Sequence, residues 1–477
     1  MPANLATLEG KRLELDEDSL SELRLQLRGQ ALTPSDPGYE DARVPFNTMH
    51  ADRPGLIVRC TGTADVVDAV KFAGANGIEI TVRGGGHSVA GLSSSDGGMV
   101  LDLSLMNGVE VDPDARLVRV QGGALWGDVD RETQLFGLAT PGGVVSDTGV
   151  AGLTLSGGYG WLRRKWGLAC DNIVSAQVVG ADGTVRTASA EVNPDLHWAI
   201  RGGGGNFGVV TSFTFRLYPL GPIVAFTGVF YSQKDASQVL RGYRDYFKDA
   251  PDEVTPEAIA ITMPADPHLP EAIHDQECFI VAAVYAGDPD QGMEILQPLR
   301  ELATPLADIS QPMPFTAVQS AFDGFFPRGQ LRSYWKSLYL SELPDEVIDL
   351  VAERGGERPS DLTFVDVYVN GGAMGRVGAG ETAFGDRSAP YMAAIIGNWN
   401  DPADDADTIG WIRDAWEEIG KFGTGSTYLN FTGNADEEID VGVTEAYGEN
   451  LRRLAELKAA YDPENFFRRN NNITPAT

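Results

Sequence analysis

The sequence predicts an α+β protein of two domains: a glycine-loop domain, then one built on a large, mostly antiparallel sheet with helices on one face. Three observations lead there. A strand–helix–strand unit over residues 56–82 runs straight into Arg83-Gly84-Gly85-Gly86-His87-Ser88, and a second glycine-dense run follows at 140–160. After Pro219 the glycine motifs thin out and long strand–helix pairs take over. A chain of 477 residues is also too long for one ordinary domain.

In chain order, residues 1–38 read as an acidic N-terminal extension carrying one amphipathic helix, Asp18 to Gln30, stopped by Pro34. A first domain is placed at 39–218. Leu56-Ile-Val-Arg59 is its first strand. Thr63 is the candidate N-cap of a helix that ends at Asn76-Gly77, and Ile78 to Val82 is the next strand. Met99–Leu103, 108–111 and 117–120 are further strands, the last two joined by an Asp-Pro-Asp turn. A helix at 124–136 precedes the glycine-dense run, where interleaved apolar residues exclude a flexible linker. Strands 173–179 and 185–188 form a hairpin about Asp182-Gly183, and 209–217 is another strand. The second domain is placed at 219–447, with strands at 224–231, 257–263, 278–285, 332–339, 362–369 and 391–398 and helices at 235–248 and 290–302. A helix at 442–459 leads into residues 448–477, whose texture returns to that of the first domain.

Composition narrows the function. Apolar content of 43% fits a globular core. The net charge of −31 repels phosphate backbones and anionic bilayers, which excludes nucleic-acid and membrane docking as expectations. An ordinary solvated surface accounts for this acidity, with a high-salt habitat as the alternative. Cysteines at 60, 170 and 278 form no disulfide framework, and Cys60 reads as a small core residue. The N-terminus lacks the basic and apolar regions of a secretory signal, and no apolar run is long enough to span a bilayer. The expectation is a soluble, cytoplasmic protein.

Gly203-Gly-Gly-Asn-Phe-Gly208 satisfies G-x-G-x-x-G, but the β-rich Val-Val-Thr-Ser-Phe-Thr-Phe follows it where a dinucleotide-binding fingerprint needs a helix. Among the remaining histidines, 50, 197, 268 and 274, no spacing suggests zinc. The Arg83–Ser88 loop is different. Glycines let the backbone turn sharply and approach a ligand, and successive N–H groups make a concave site suited to a diphosphate. Taken alone, His87 and Cys170 read as a satisfied loop histidine and a buried small residue.

Their order along the chain changes that reading. Arg83–Ser88 after a β-α-β unit, the 141–160 run, Gly167-Leu-Ala-Cys170-Asp-Asn172, the 202–208 loop and the closing Tyr461-Asp-Pro-Glu-Asn-Phe-Phe to Pro475 occur in one succession. Together they resemble the flavin domain and closing motif of the berberine bridge enzyme-like family, within the vanillyl-alcohol oxidase / p-cresol methylhydroxylase fold. The resemblance covers roughly 40–220 and 360–477, and the middle only in general pattern. It implies FAD bonded through His87 to the 8α-methyl and through Cys170 to C6. It assigns cofactor contacts to Arg83, Gly84, Gly85, Gly86, Ser88, Gly142, Gly143, Thr148, Gly149, Gly152, Gly157, Gly158 and Gly160. Asn172, Ile173, Val174, Gly205, Asn206, Phe207, Gly208, Val209, Asn430, Asn470 and Asn472 complete that set.

On the substrate side, Phe364, Asp366 and Tyr368 alternate on a strand and share one face. They precede Gly371-Gly372, the family's strand-then-Gly-Gly pattern, where Tyr368 stands at the catalytic position. Thr427-Tyr428-Leu-Asn430 matches the family's Tyr-x-Asn motif. The resemblance implies an oxidase that removes hydride from an alcohol (a sugar, oligosaccharide or secondary-metabolite hydroxyl) to flavin N5, with oxygen as acceptor giving hydrogen peroxide. Tyr428 is the expected base, helped by Tyr368 or Asp366. A tyrosine titrating near its ordinary value of about 10 is a poor base at neutral pH, so a neighbouring tyrosine, Asp366 or the flavin's own field is expected to lower it. A dehydrogenase with another acceptor and a low-turnover flavin-bearing binding protein stay open as alternatives, as do substrate identity and oligomeric state.

Overall fold

The computed structural model describes residues 3–434 and 439–477. Three strands rich in β-branched and aliphatic side chains, Leu56–Arg59, Met99–Asp102 and Ile80–Arg83, lie side by side in parallel, in that order. Buried on both faces, such strands read as continuous apolar runs. Thr63–Asn76 is the crossover helix between the first and last of them, and it stops at Gly77, whose φ of 61° suits glycine. Thr63 is the first helical residue rather than the cap. Its hydroxyl donates instead to Gln177 Oε1 across the interface to the next sheet.

That next sheet is five-stranded and antiparallel, in the order Val185–Ser189, Ile173–Val179, Val209–Arg216, Leu117–Gln121, Val109–Asp112. The G-x-G-x-x-G run at 203–208 forms a single 3-10 turn, Gly204–Phe207, before a strand, as its β-rich continuation requires. Residues 3–32 are more than a helical extension. Ala3–Ala6 and Arg12–Leu15 pair with each other, Gln30–Leu32 adds to the edge strand Leu56–Arg59, and the helix is Glu17–Gln26. Leu5, Leu15, Leu20 and Leu23 are buried in the same apolar cluster as Val58 and Val70, so hydrophobic burial fixes this segment in place.

The large sheet is antiparallel throughout. Its main path runs Ala307–Asp308, Ile223–Ser232, Glu277–Tyr285, Val254–Thr262, Phe364–Val369, Tyr391–Trp399, Arg332–Leu340. Strand periodicity sorts its side chains. Val365, Val367 and Val369 join the cluster under the helices Ala236–Tyr246, Asp345–Gly356 and Asp405–Gly420. Phe364 and Tyr368 point to the opposite face, into a cluster shared with the glycine-rich segments. The expected helix 442–459 is two helices, Ile439–Tyr447 and Asn450–Tyr461, separated at Gly448 with φ 50°. Among the described residues, no helix is long and apolar enough to cross a membrane.

Candidate active site

Strand Ile80–Arg83 delivers the glycine loop to the face of the large sheet not covered by helices. Among the described residues, the backbone N–H groups of Gly84 to Ser88 find no protein acceptor. Gly86 turns at φ 72°. A Cβ on Gly85 would lie 2.3 Å from the Cα of Gly149, so the loop and the glycine-dense run touch backbone to backbone. Phe46 stacks on the His87 imidazole, centroids 3.8 Å apart at 23°. His87 Nε2 lies 3.2 Å from Asp147 Oδ1, and Asp147 Oδ2 lies 3.7 Å from Arg328 Nε. Arg328 also donates to the Gly85 carbonyl.

One cavity, about 280 Å³ in volume, joins this loop to the sheet. Of the sequence-predicted residues, Gly84, Gly85, Gly86, His87 and Ser88 line it, with Thr148, Gly149 and Gly152 beside them. Gly205, Gly208 and Asn470 close that end, while Asp366, Tyr368, Tyr428 and Asn430 line the sheet end. Phe326, Trp335, Ile396 and Phe431 complete the sheet-side wall with apolar surface.

The other predicted contacts lie outside this lining and support it. Arg83 donates from Nε to the Ser93 carbonyl at 3.0 Å. Gly142 packs under the Trp126 ring, Gly160 under the Gly142 carbonyl, and Gly143 against Leu153. Gly157 leaves room for Phe384 at φ 121°, and the Gly158 N–H donates to the Tyr428 oxygen at 3.2 Å. The Asn172 amide clasps the Trp166 and Leu168 carbonyls at the entry to the strand that Ile173 and Val174 begin. Asn206 ties the chain's last segment down through Asn471 O and Ile473 N, while Phe207 and Val209 are core. Asn472 Oδ1 is buried without a protein partner.

Cys170 stands apart from the cavity-lining contacts. Its thiol is fully buried outside the cavity lining, 3.7 Å from Asp171 Oδ1 and 4.0 Å from Arg387 Nη2. Burial, with the Asp171 charge next, pushes it far above the ordinary thiol range. The Gly-Leu-Ala-Cys motif locates the turn correctly but carries no information on which way the side chain faces.

The sheet end is electrostatically unusual. Tyr368 OH donates to Asp366 Oδ2 at 3.4 Å, and Asp366 Oδ1 is buried with no protein partner. Burial, and then the neighbouring Glu257, raise the Asp366 carboxyl well above the usual range. Glu257 stands opposite Tyr368 on the adjacent strand, its Oε1 3.8 Å from Arg163 Nη1. Burial pushes Glu257 up to about 7, with Arg163 opposing. The Arg163 guanidinium lies 5.4 Å from the Tyr368 ring centroid. Tyr428 accepts from Asn430 Nδ2 at 2.8 Å, yet burial pushes its hydroxyl up to about 12. Tyr368 moves the same way, with burial again the largest cause. The protein groups around Tyr428 by themselves do not lower it, because desolvation of a phenolate outweighs its hydrogen bonds.

The donor set fits a dinucleotide-type cofactor. Unpaired loop N–H groups suit a diphosphate, and a Cβ on Gly152 would meet no protein atom within 4 Å. Asn470 Oδ1 is a further buried polar atom without a protein partner at this end. Residues 54–189 match the family model described as FAD binding domain, and residues 427–474 match that described as Berberine and berberine like. The chain is 31% identical to the uncharacterised FAD-linked oxidoreductase YgaK of Bacillus subtilis, covering 95% of this chain and 98% of that protein.

The chain belongs to the berberine bridge enzyme-like family of FAD-linked oxidoreductases. (R)-6-hydroxynicotine oxidase of Paenarthrobacter nicotinovorans is 30% identical over 94% of this chain and 98% of its own length. The crystal structure of 6-hydroxy-D-nicotine oxidase from Arthrobacter nicotinovorans superposes with a TM-score of 0.83, covering 95% and 99% of the two chains at 30% identity. Physcomitrella patens BBE-like 1 superposes at 0.85 with 23% identity over 96% and 99%, which shows the shared fold. As a member of the family, this chain uses FAD. Asp147, Arg328, Phe46, Glu257 and Arg163 are residues that sequence reasoning missed: each meets its site partner from a distant segment, and no local pattern marks them.

Proposed function

We propose that this family member oxidises an alcohol whose body is apolar or aromatic, with oxygen as the electron acceptor. Bound FAD supplies the hydride acceptor, at N5, and yields hydrogen peroxide when oxygen reoxidises it. The observation that carries the reading is Asp366: a buried carboxyl with an unpartnered oxygen, in the same cavity as the glycine loop. Burial raises its affinity for protons well above that of an ordinary carboxylate, the direction a stronger base requires, whereas burial pushes Tyr428 up to about 12. Asp366 takes the hydroxyl proton as the C–H bond is broken. Tyr368, hydrogen-bonded to Asp366, holds the carboxylate in place, and the Tyr428 hydroxyl orients the substrate oxygen. Phe326, Trp335, Ile396 and Phe431 exclude water from the reacting carbon.

The same wall disfavours sugars, although chitooligosaccharide and xylooligosaccharide oxidases share the fold. Each sugar hydroxyl left against these side chains without a partner costs about 1–3 kcal/mol. A covalent bond from His87 to the flavin 8α-methyl belongs to this proposal; a bond from Cys170 does not. The test is anaerobic mixing of the FAD-loaded protein with benzylic and allylic alcohols and with mono- and oligosaccharides. Bleaching of the flavin by the first group, then peroxide on admitting air, is expected. Bleaching only by the saccharides overturns the substrate class.

A further inference from the structure

We propose that Asp147 drives the attachment of FAD to His87, acting through the imidazole as a positioning residue for a self-modification the protein performs once. The inference rests on the reading of His87 as the tether. Two contacts converge on this histidine, and a third residue braces one of them. Phe46 stacks flat against the ring and fixes its plane. Asp147 Oδ1 sits 3.2 Å from Nε2, where its charge favours a proton on that nitrogen over one on Nδ1, although the two atoms are not aligned as a hydrogen bond. Arg328 braces Asp147 from its other oxygen and grips the Gly85 carbonyl in the loop that carries His87. Burial works to raise the Asp147 carboxyl, but His87 and Arg328 outweigh it and hold it below its ordinary value, as a charged group.

The chemistry asks for that charge. The new bond joins His87 Nδ1 to the 8α-methyl carbon. One methyl C–H bond and one imidazole N–H bond are given up with release of two protons; of their four electrons, two make the new N–C bond and two enter the flavin ring. Dioxygen then takes two electrons and two protons and leaves as hydrogen peroxide. As Nδ1 bonds to carbon, positive charge builds on the imidazole unless Nε2 releases its proton. An ionised carboxylate 3.2 Å away offsets that charge and accepts the proton, which then passes to water. The carboxyl that lines the cavity itself, Asp366, belongs to the sheet end rather than to this ring.

The experiment reads attachment rather than turnover. Wild type, His87→Ala, Asp147→Asn and Asp147→Glu are isolated with FAD, and flavin is measured before and after acid denaturation. Wild type is expected to keep its flavin on the polypeptide and His87→Ala to release all of it. Asp147→Asn should bind FAD as fully as wild type but attach it on the order of 10²-fold more slowly. Asp147→Glu should recover much of the rate, which a merely structural role for Asp147 does not predict. Full attachment in Asp147→Asn at the wild-type rate overturns the proposal while leaving His87 as the tether. Release of all flavin from wild type overturns the tether reading itself. Should Asp147→Asn fail to bind FAD, Arg328→Gln decides: slower attachment supports the proposal, and an unchanged rate overturns it.

Discussion

Replacing Glu257 by glutamine tests the electrostatics under the substrate floor. Glu257 is fully buried on the strand beside Asp366, and Arg163 only partly offsets its desolvation. Its rise from 4.5 to about 7 corresponds to about 3 kcal/mol, at about 1.36 kcal/mol per unit. The sign follows from linkage. A carboxyl held protonated in the folded state contributes stability that is fully present below pH 4.5 and is lost as pH rises through about 7, because the unfolded chain ionises first. Glutamine cannot ionise, so Glu257→Gln should match wild type at pH 4 and exceed it by about 3 kcal/mol at pH 8.5. Denaturant unfolding of the FAD-loaded proteins at the two pH values measures this. The substitution also removes a like charge from beside Asp366, so the acid limb of the kcat/KM profile should move to lower pH. Greater destabilisation at pH 8.5 than at pH 4 would refute the reasoning and show that the attraction between Arg163 and Glu257 outweighs the cost of burying the carboxylate.

Four further outcomes follow from the same geometry. Asp366→Asn should retain FAD but lose kcat/KM by on the order of 10²- to 10⁴-fold, measured as the rate of anaerobic flavin reduction. Tyr428→Phe should cost roughly tenfold at most in that rate, an orienting bond being worth about 1–1.5 kcal/mol; a loss as large as that of Asp366→Asn would return the base assignment to Tyr428. Cys170→Ala should leave the flavin on the polypeptide after denaturation, and release of flavin would restore Cys170 as an anchor. Lys458→Met should destabilise by about 3–5 kcal/mol in denaturant unfolding, because it strands Asp462 as a buried charge.

Much of this architecture is legible from local pattern. Strand periodicity at 364–369 puts Phe364, Asp366 and Tyr368 on one face, and the structure keeps them there. A strand running into three glycines places the Gly84–Ser88 loop, because few other residues tolerate that backbone. What local pattern cannot supply is depth and partnership. Cys170 lies on the expected turn but outside the cavity lining. Glu257, on an otherwise apolar strand, gives no hint that it faces Tyr368. Asp147 and Arg328, far apart in the chain, meet beside the side-chain-free contact of Gly85 with Gly149. The desolvation that raises Tyr428 is likewise a property of the assembled core, invisible in a Tyr-x-Asn motif.

The segment after the helix Asn450–Tyr461 carries a consequence for biosynthesis. Lys458 Nζ, fully buried, donates to Asp462, to the Asn206 carbonyl and to the Phe467 carbonyl, while Asn206 holds Asn471 O and Ile473 N. Asn470 and Asn471 are part of the cavity wall. A ribosome that has made the glycine loop, the 140–160 run and the whole large sheet has therefore made a cleft with one side missing. Cofactor capture is deferred until residue 471 has been translated and has folded back. The glycine loop at 84–88 stays open on that side for most of the time the chain takes to be synthesised.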